Sequence, residues 1–449
     1  MGNASSWSLL PPVLAILLSI ITKDVFAALF LGVFSAYTIL AGGNIFKGIA
    51  DTLMSFIKVF ESNGNTIIIL MTASIGGLTY LAEKSGGIQG FVKLLLSKKS
   101  FVKNKKTAEM FSWFEGVIVF TSGTVSTLVT GTVSRPLTDA FKTPHEKLAY
   151  IVHSTSTPVC VLIPLSGWGA FMIGLISAQG IPNPEVVLAK SIPLNFYALL
   201  AVFGVAFIIL TGFDFGPMKQ AEIRARKTGL LDRPKEGEDV KKVAKEGAIA
   251  KDETKATSAA NLLIPIGSMV GMILAGLLIT GKGSLLKGNG NIAILWGVTF
   301  AILVTGIAYV YQKIMTYKGY IDTLFHGIGN LLPVASILMF AFSLGDVIKQ
   351  LGTGDYIANL FSGIMTPALL PAIIFLISAI ISLATGTSMG TMALMFPLMI
   401  PTALTVDANI LLCVSAIFGG SIFGDHTSPI SDTTIMTSMT TGCDIIDHV

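Results

Sequence analysis

The chain has 449 residues, of which 52% are hydrophobic and only 12% charged, with a net charge of +4. Ordinary soluble domains carry about 25% charged residues, and at a mean hydropathy of +0.75 this chain cannot cover a soluble surface of its length. That excludes a conventional cytosolic enzyme, a disordered protein and a basic nucleic-acid binder, and points to a polytopic membrane protein.

In chain order, the first apolar runs are 7–22, 25–41 and 65–83. A bilayer core of about 30 Å needs about 20 residues of helix, fewer where the flanks contribute. A basic run follows (Lys98, Lys99, Lys103, Lys105, Lys106), then an apolar stretch over 108–140 interrupted by Thr121-Ser122-Gly123-Thr124. Runs 147–179 and 190–213 close the first half. A polar linker, 214–259, holds 11 Lys/Arg and 9 Asp/Glu. The second half has runs 260–280, 291–313 and 321–345, a second interrupted stretch over 370–402 broken at Thr385-Gly386-Thr387-Ser388, and a run at 408–439. Runs 147–179 and 408–439 are longer than a straight span needs, so tilt or an internal break is expected.

Each interrupted stretch reads either as two short helices with a polar tip, a re-entrant hairpin, or as one span whose hydroxyls bond back to the preceding turn. Charge decides between them. With both basic segments cytoplasmic and both hairpins returning to their side of origin, only Lys47, Lys58, Lys190, Lys282, Lys287 and Lys349 of the 30 Lys/Arg lie outside. This is a strong positive-inside bias. It places the N-terminus outside and linker 214–259 in the cytoplasm of a cell (inner) membrane protein.

The halves correspond at a nearly fixed offset. Gly123-Thr124 maps to Gly386-Thr387, Leu78–Gly86 to Leu344–Gly352, and 147–179 to 408–439, with opposite directions across the membrane. Inverted repeats with broken helices belong to secondary transporters. The expected fold is all-α, with two re-entrant hairpins and two broken transmembrane helices. Its domains are a first half (1–213), the linker (214–259) and a second half (260–449). The repeat also predicts a last helix beginning at about residue 453, the partner of 190–213.

Few ionisable groups fall inside the spans: Glu115, His153, Asp322, His326, Asp425, His426 and Asp432. Such groups are costly at depth and are functional by default. The densest cluster is GSIFGDHTSPISDTT, 420–434, where Gly424 and Pro429 are expected to interrupt the helix. Freed carbonyls with Asp425, Thr427, Ser428, Ser431 and Asp432 offer hard oxygens for a small cation. Asp425 and Asp432 are the candidate Na+ ligands, with Gly424, Thr427, Ser428, Thr385 and Thr387 completing a cation and proton site. The equivalent region of the first half, STSTPVCVLIPLSGWGAF (154–171), holds two prolines and no carboxylate. Ser122, Gly123, Thr124, His153, Ser156, Thr157, Ser166, Trp168, His426 and Ser388 are the candidate substrate contacts. Glu115 is open between proton relay and helix cap, and Asp322 with His326 reads as a solvated pair. Residues 276–283 nearly match a phosphate-binding loop, but Gly283 replaces its Ser/Thr and no strand precedes it. The three cysteines are too few and too scattered for a disulfide framework or a thiolate metal site.

GDHTSPISDTT followed by MTTGCDIIDHV resembles the signature of the NhaC family of Na+/H+ antiporters. So do SRPLTD and HEKLAYIV (134–139, 145–152), IPLSGWGAF (163–171), ATGTSMGTMALMFPLMIP (384–401) and LLPPVLAILLSIITKDV (9–25). The resemblance implies the ion transporter superfamily fold, a scaffold that dimerises, elevator-like motion and a chain continuing past IDHV. It departs from the family pattern in two places. Ser122-Gly123 stands where relatives carry an acidic pair, and His153 where they carry Asp. The family also includes carriers of small organic anions.

Two functions follow. In Na+/H+ exchange, Asp425 and Asp432 hold either ion. In a Na+- or H+-coupled carrier of a small organic acid or amino acid, the solute's carboxylate sits at helix N-termini of the hairpin tips. Neither needs a nucleotide or a resident cofactor. The expected partners are lipid, Na+, H+ and a second copy of the chain, with no nucleic acid.

Overall fold

The structure, a computed structural model, describes residues 6–22, 24–87, 90, 102–120, 122–164, 166–233, 257–284, 289–353, 356 and 366–449. Lys98, Lys99, Thr121, Lys287 and most of the linker (234–256) lie outside the described residues. The described residues form helices and no strands.

The helices are α1 (Leu10–Thr22), α2 (Val25–Leu40), α3 (Ile45–Glu61), α4 (Asn63–Lys84), α5 (Lys105–Ile118), α6 (Gly123–Ala140), α7 (His145–Ser154), α8 (Thr157–Leu162), α9 (Gly167–Ala178) and α10 (Pro184–Ser191). They continue as α11 (Phe196–Thr211), α12 (Gly216–Thr228), α13 (Ala260–Thr280), α14 (Gly290–Tyr311), α15 (Tyr317–Leu351), α16 (Leu370–Thr385), α17 (Ser388–Thr405), α18 (Ile410–His426), α19 (Asp432–Thr441) and α20 (Ile445–His448). Helices α4, α13, α14, α15 and α17 are each long and apolar enough to cross a membrane. Among the described residues the apolar runs read from the sequence are helical, with run 147–179 divided into α7, α8 and α9 and run 408–439 into α18 and α19, and both interrupted stretches are helix pairs, α5–α6 and α16–α17.

Side chains set the helix starts. Asp24 accepts from the Phe26 and Ala27 amides to begin α2, and Asn104 and Thr107 form a reciprocal capping box on α5. Ser122 caps α6 and Thr387 caps α17, the second arm of each helix pair.

Helices α3 and α12 lie outside the expected runs, and α18 breaks elsewhere than expected. The 17-residue α3 is amphipathic, with Ile45, Phe46, Ile49, Leu53 and Ile57 exposed and Thr52, Ser55 and Val59 buried. Its Lys47, Asp51 and Lys58 lower its hydropathy below that of a span. Helix α12 occupies part of the polar linker. Helix α18 runs unbroken through Gly424, so that glycine does not interrupt it as expected. A Cβ there would collide with the Ala379 carbonyl and Leu383 amide of α16, and glycine allows two helix backbones to touch. The break comes after His426, at residues 427–431, around Pro429.

The chain divides into two compact units. The first comprises residues 1–81, 167–196 and 264–425. Within it the 35-residue α15 packs against α2, α3, α9 and α17, and α16 packs on α17. Ile75, Leu78, Ala170, Met269, Val298 and Ala301 form one of its apolar clusters.

The second unit comprises residues 82–166, 197–263 and 426–449. Helix α6 is packed by α5, α7 and α19. The α6–α19 contact is close because Gly131 has no side chain where Thr440 lies, and Gly116 of α5 makes the same room for Thr155. Ile151, Val205 and Ile209 bind α11 to α7, and the Trp113 indole donates to the Val202 carbonyl at 2.8 Å.

At the base of the α5–α6 pair, an ion-pair lattice accounts for the SRPLTD and HEK residues. Lys147, 4% exposed, lies 3.5 Å from Glu109, 3.1 Å from Asp214 and 3.2 Å from Glu222. Lys105 also pairs with Glu222. His145 lies between Asp139 (3.0 Å) and Asp232 (2.7 Å), and Arg224 pairs with Glu146 at 2.8 Å.

Gly131→Ala should destabilise the protein by about 1–3 kcal/mol through overpacking against Thr440. Gly204→Ala on α11, where a Cβ would meet nothing within 4 Å, should be neutral or slightly stabilising. Thermal unfolding in detergent compares them. Lys147→Met should cost about 3–5 kcal/mol, because three carboxylates lose their shared partner.

Candidate functional site

Residues 427–431 separate α18 from α19, and the polar groups around this break belong to the second unit. Asp432 opens α19, and its Oδ1 accepts from the Thr433 amide at 2.8 Å. Its Oδ2 lies 3.5 Å from the Thr124 hydroxyl, in the first turn of α6. Both side chains are exposed. Behind them the groups are buried. The Thr433 hydroxyl bonds the Ser431 hydroxyl at 3.0 Å and His153 Nε2 at 3.1 Å. The hydroxyls of Ser428 and Thr157 are buried without a hydrogen-bond partner. A Cβ on Gly123 would stand 2.7 Å from the Thr157 hydroxyl, so the α6 tip lies directly on the start of α8.

A cluster of rings backs this site. His153 and His426 have centroids 4.1 Å apart. His426 Nδ1 bonds the Tyr197 hydroxyl at 2.9 Å. His153 Nδ1 faces His448 Nε2 at 3.1 Å, and His448 Nδ1 bonds the Ser438 hydroxyl at 2.9 Å. Burial lowers the His448 pKa to about 4, so at neutral pH this imidazole is uncharged and can share a single hydrogen with His153. His448 also lines a cavity of 780 Å³ whose wall includes Lys147, Asp214, Arg224 and Asp447.

Ser122, Gly123, Thr124, His153, Ser156, Thr157, Ser166, His426, Thr427, Ser428 and Asp432 therefore belong to one unit. The hydroxyl of Ser156 is committed to the His153 carbonyl at 2.7 Å, and Ser122 caps α6. Thr385, Thr387, Ser388, Trp168, Gly424 and Asp425 belong to the first unit. There Thr385 bonds back to the Ile381 carbonyl, Thr387 caps α17, and Asp425 is buried. The sequence expectation missed Thr433, Tyr197 and His448. Thr433 was hidden in a run of threonines. Tyr197 and His448 carry no local signal, since only folding brings residues 197, 426 and 448 to position 153.

A chain whose described residues form helices and no strands, with helices long enough to span, two helix pairs with polar tips and a polar helix break, is a multi-pass membrane protein of the secondary transporter class. The sequence profile of the Na+/H+ antiporter family matches residues 159–449. The chain belongs to that family, as the motif at 420–434 implied. It is 28% identical, over its whole length, to an uncharacterized protein of Haemophilus influenzae, covering 87% of that protein. It is 25% identical over 198 residues to the arginine/ornithine antiporter ArcD of Halobacterium salinarum. That match takes in 44% of this chain and 39% of ArcD. Among solved structures, Neisseria gonorrhoeae MtrF, described with a class of antimetabolite efflux pumps, superimposes with a TM-score of 0.52. The identity is 17%, with 88% of this chain and 78% of MtrF covered, which establishes likeness of fold.

Proposed function

We propose that this secondary transporter exchanges Na+ for protons by alternating access. The observation that carries the reading is the accessible Asp432 carboxylate at a helix break, accepting from the Thr433 amide and 3.5 Å from the Thr124 hydroxyl. Broken helices in transporters expose carbonyls and helix ends that hold coupling ions at the midplane. The chain has a second carboxylate seven positions earlier, Asp425, and each of the two stands on its own unit. Competition between Na+ and a proton for these carboxylates would link the two fluxes. Membership of the Na+/H+ antiporter family supports the same ions.

The rest of the proposal concerns architecture. Ser122 and Thr387 each cap the second arm of a helix pair, and this shared plan supports an inverted repeat with re-entrant hairpins. Elevator-like motion, a homodimeric assembly, an inner-membrane location and a cytoplasmic linker complete it.

One observation favours a second reading, coupled transport of a small organic acid or amino acid. The rings of His153, His426, His448 and Tyr197 form a polar aromatic wall suited to an organic solute. The likeness to an arginine/ornithine antiporter agrees with it.

The deciding measurement is Na+-triggered proton movement in proteoliposomes, reported by a pH-sensitive dye. Exchange predicts a Na+-dependent signal that is lost in Asp425→Asn and in Asp432→Asn, both of which still insert and purify normally. A folded protein without signal would reject exchange. Thermal-shift titration with arginine, ornithine and small carboxylates would then test the second reading. For the topology, a cysteine introduced within 230–250 should react with impermeant reagents only from the cytoplasmic face, and labelling from outside would overturn it.

A further inference from the structure

Glu115 lies outside the break at 427–431 and is 1% exposed on α5. Its Oε2 accepts from the Ser134 hydroxyl of α6 at 3.0 Å, and its Oε1 is buried with no hydrogen-bond partner. No ion pair reaches it among the described residues, because the charged groups of the surrounding helices are engaged elsewhere. On α5 itself, Glu109 and Lys105 belong to the lattice around Lys147 and Glu222, and Lys106 donates to the Leu210 carbonyl. On α6, Arg135 pairs with Asp139. On α7, His145 is held by Asp139 and Asp232, Glu146 by Arg224, and His153 by Thr433 and His448. Helix α11, which packs on Trp113, carries no acidic or basic side chain.

An ionised carboxylate in such surroundings lacks both water and a counter-charge, a cost of several kcal/mol that a bound proton removes. A structural role does not need a carboxylate there, since an apolar side chain would fill the same space without that cost. The neighbourhood also has hydroxyls to spare. Ser126, Thr130 and Ser134 follow one another at four-residue intervals along α6, all fully buried. Ser126 approaches the Gly116 carbonyl at 3.5 Å, and the Thr130 hydroxyl has no hydrogen-bond partner. Thr130 stands one turn of α6 from Ser134, the residue that bonds Glu115, and an unsatisfied buried hydroxyl and carboxyl oxygen are groups that a buried water can bridge.

We propose that Glu115 is a proton-binding site of this transporter, separate from the cation site at Asp432, served by the hydroxyls of Ser126, Thr130 and Ser134 and emptied once per cycle. The coupling of that proton to transport rests on the exchange reading above, while the occupancy of Glu115 does not.

Two measurements test it on the full chain. The first is the infrared band of protonated carboxyl groups in reconstituted protein. At neutral pH, Glu115→Gln should remove intensity from that band, and in Ser134→Ala the band should titrate at a different pH. A band unchanged in Glu115→Gln overturns the proposal. The second compares Na+-driven proton movement with exchange of labelled Na+ across the same vesicles. Glu115→Gln should lose the first and retain the second. Proton movement at the unmodified rate in Glu115→Gln overturns the proposal. If the unmodified protein moves no protons with Na+, exchange fails as a function, and the infrared band still decides whether Glu115 holds a proton.

Discussion

The close contact between α6 and α19 holds the polar interior of the second unit in place. It is made possible by Gly131, which leaves room for Thr440, and the Thr440 hydroxyl then donates to the Thr127 carbonyl at 3.1 Å. Helix α19, DTTIMTSMTT, is too polar to be anchored by apolar packing alone. In a lipid environment helices associate through close backbone approach and hydroxyl hydrogen bonds, and α19 has both. Fixing α19 fixes Asp432 at its start, and it sets Thr433 against His153. The site geometry follows from a helix contact more than two turns away along the chain.

Much of this was legible in the sequence because the bilayer restricts what a chain can do. Apolar length marked the spans, and polar residues in the middle of two such stretches marked the tips of α5–α6 and α16–α17. Pro429 marked the neighbourhood of the break at 427–431. Gly424 misled, because a glycine that lets a backbone approach looks the same in sequence as one that ends a helix. Helix α3 was missed because Lys47, Asp51 and Lys58, with the buried Thr52 and Ser55, interrupt its apolar residues. Contacts such as Tyr197 with His426, 229 positions apart, have no sequence signature.

The motif residues divide into two kinds of work. SRPLTD and HEKLAYIV look like candidates for ion handling when read as charges. In the structure their charges are consumed within the lattice of Lys147, Glu109, Asp214 and Glu222, and in the His145 and Arg224 pairs. Such a buried network gains little net stability over apolar packing, but it fixes which helices meet, because a wrong pairing leaves a charge unpaired. It ties α12, and with it the start of the linker, to the base of the α5–α6 pair. In GDHTSPISDTT the Asp432 carboxylate instead meets the Thr433 amide and the Thr124 hydroxyl.

Asp432 already has part of its charge offset. It begins α19 and accepts from the Thr433 amide, and a helix N-terminus carries roughly half a positive charge. A carboxylate so placed attracts a cation less strongly than an isolated one. For a carrier this is useful, since an ion held too tightly is not released on the far side. The buried wall behind Asp432 is built of rings and hydroxyls that accept or donate a hydrogen without a change in charge. On the two readings proposed above, a small cation would take the exposed lip at Asp432 and a polar organic group the wall behind it. Which ring nitrogen of His153 carries the hydrogen decides whether Thr433 is its donor or acceptor, and His448 on the other nitrogen takes the opposite role.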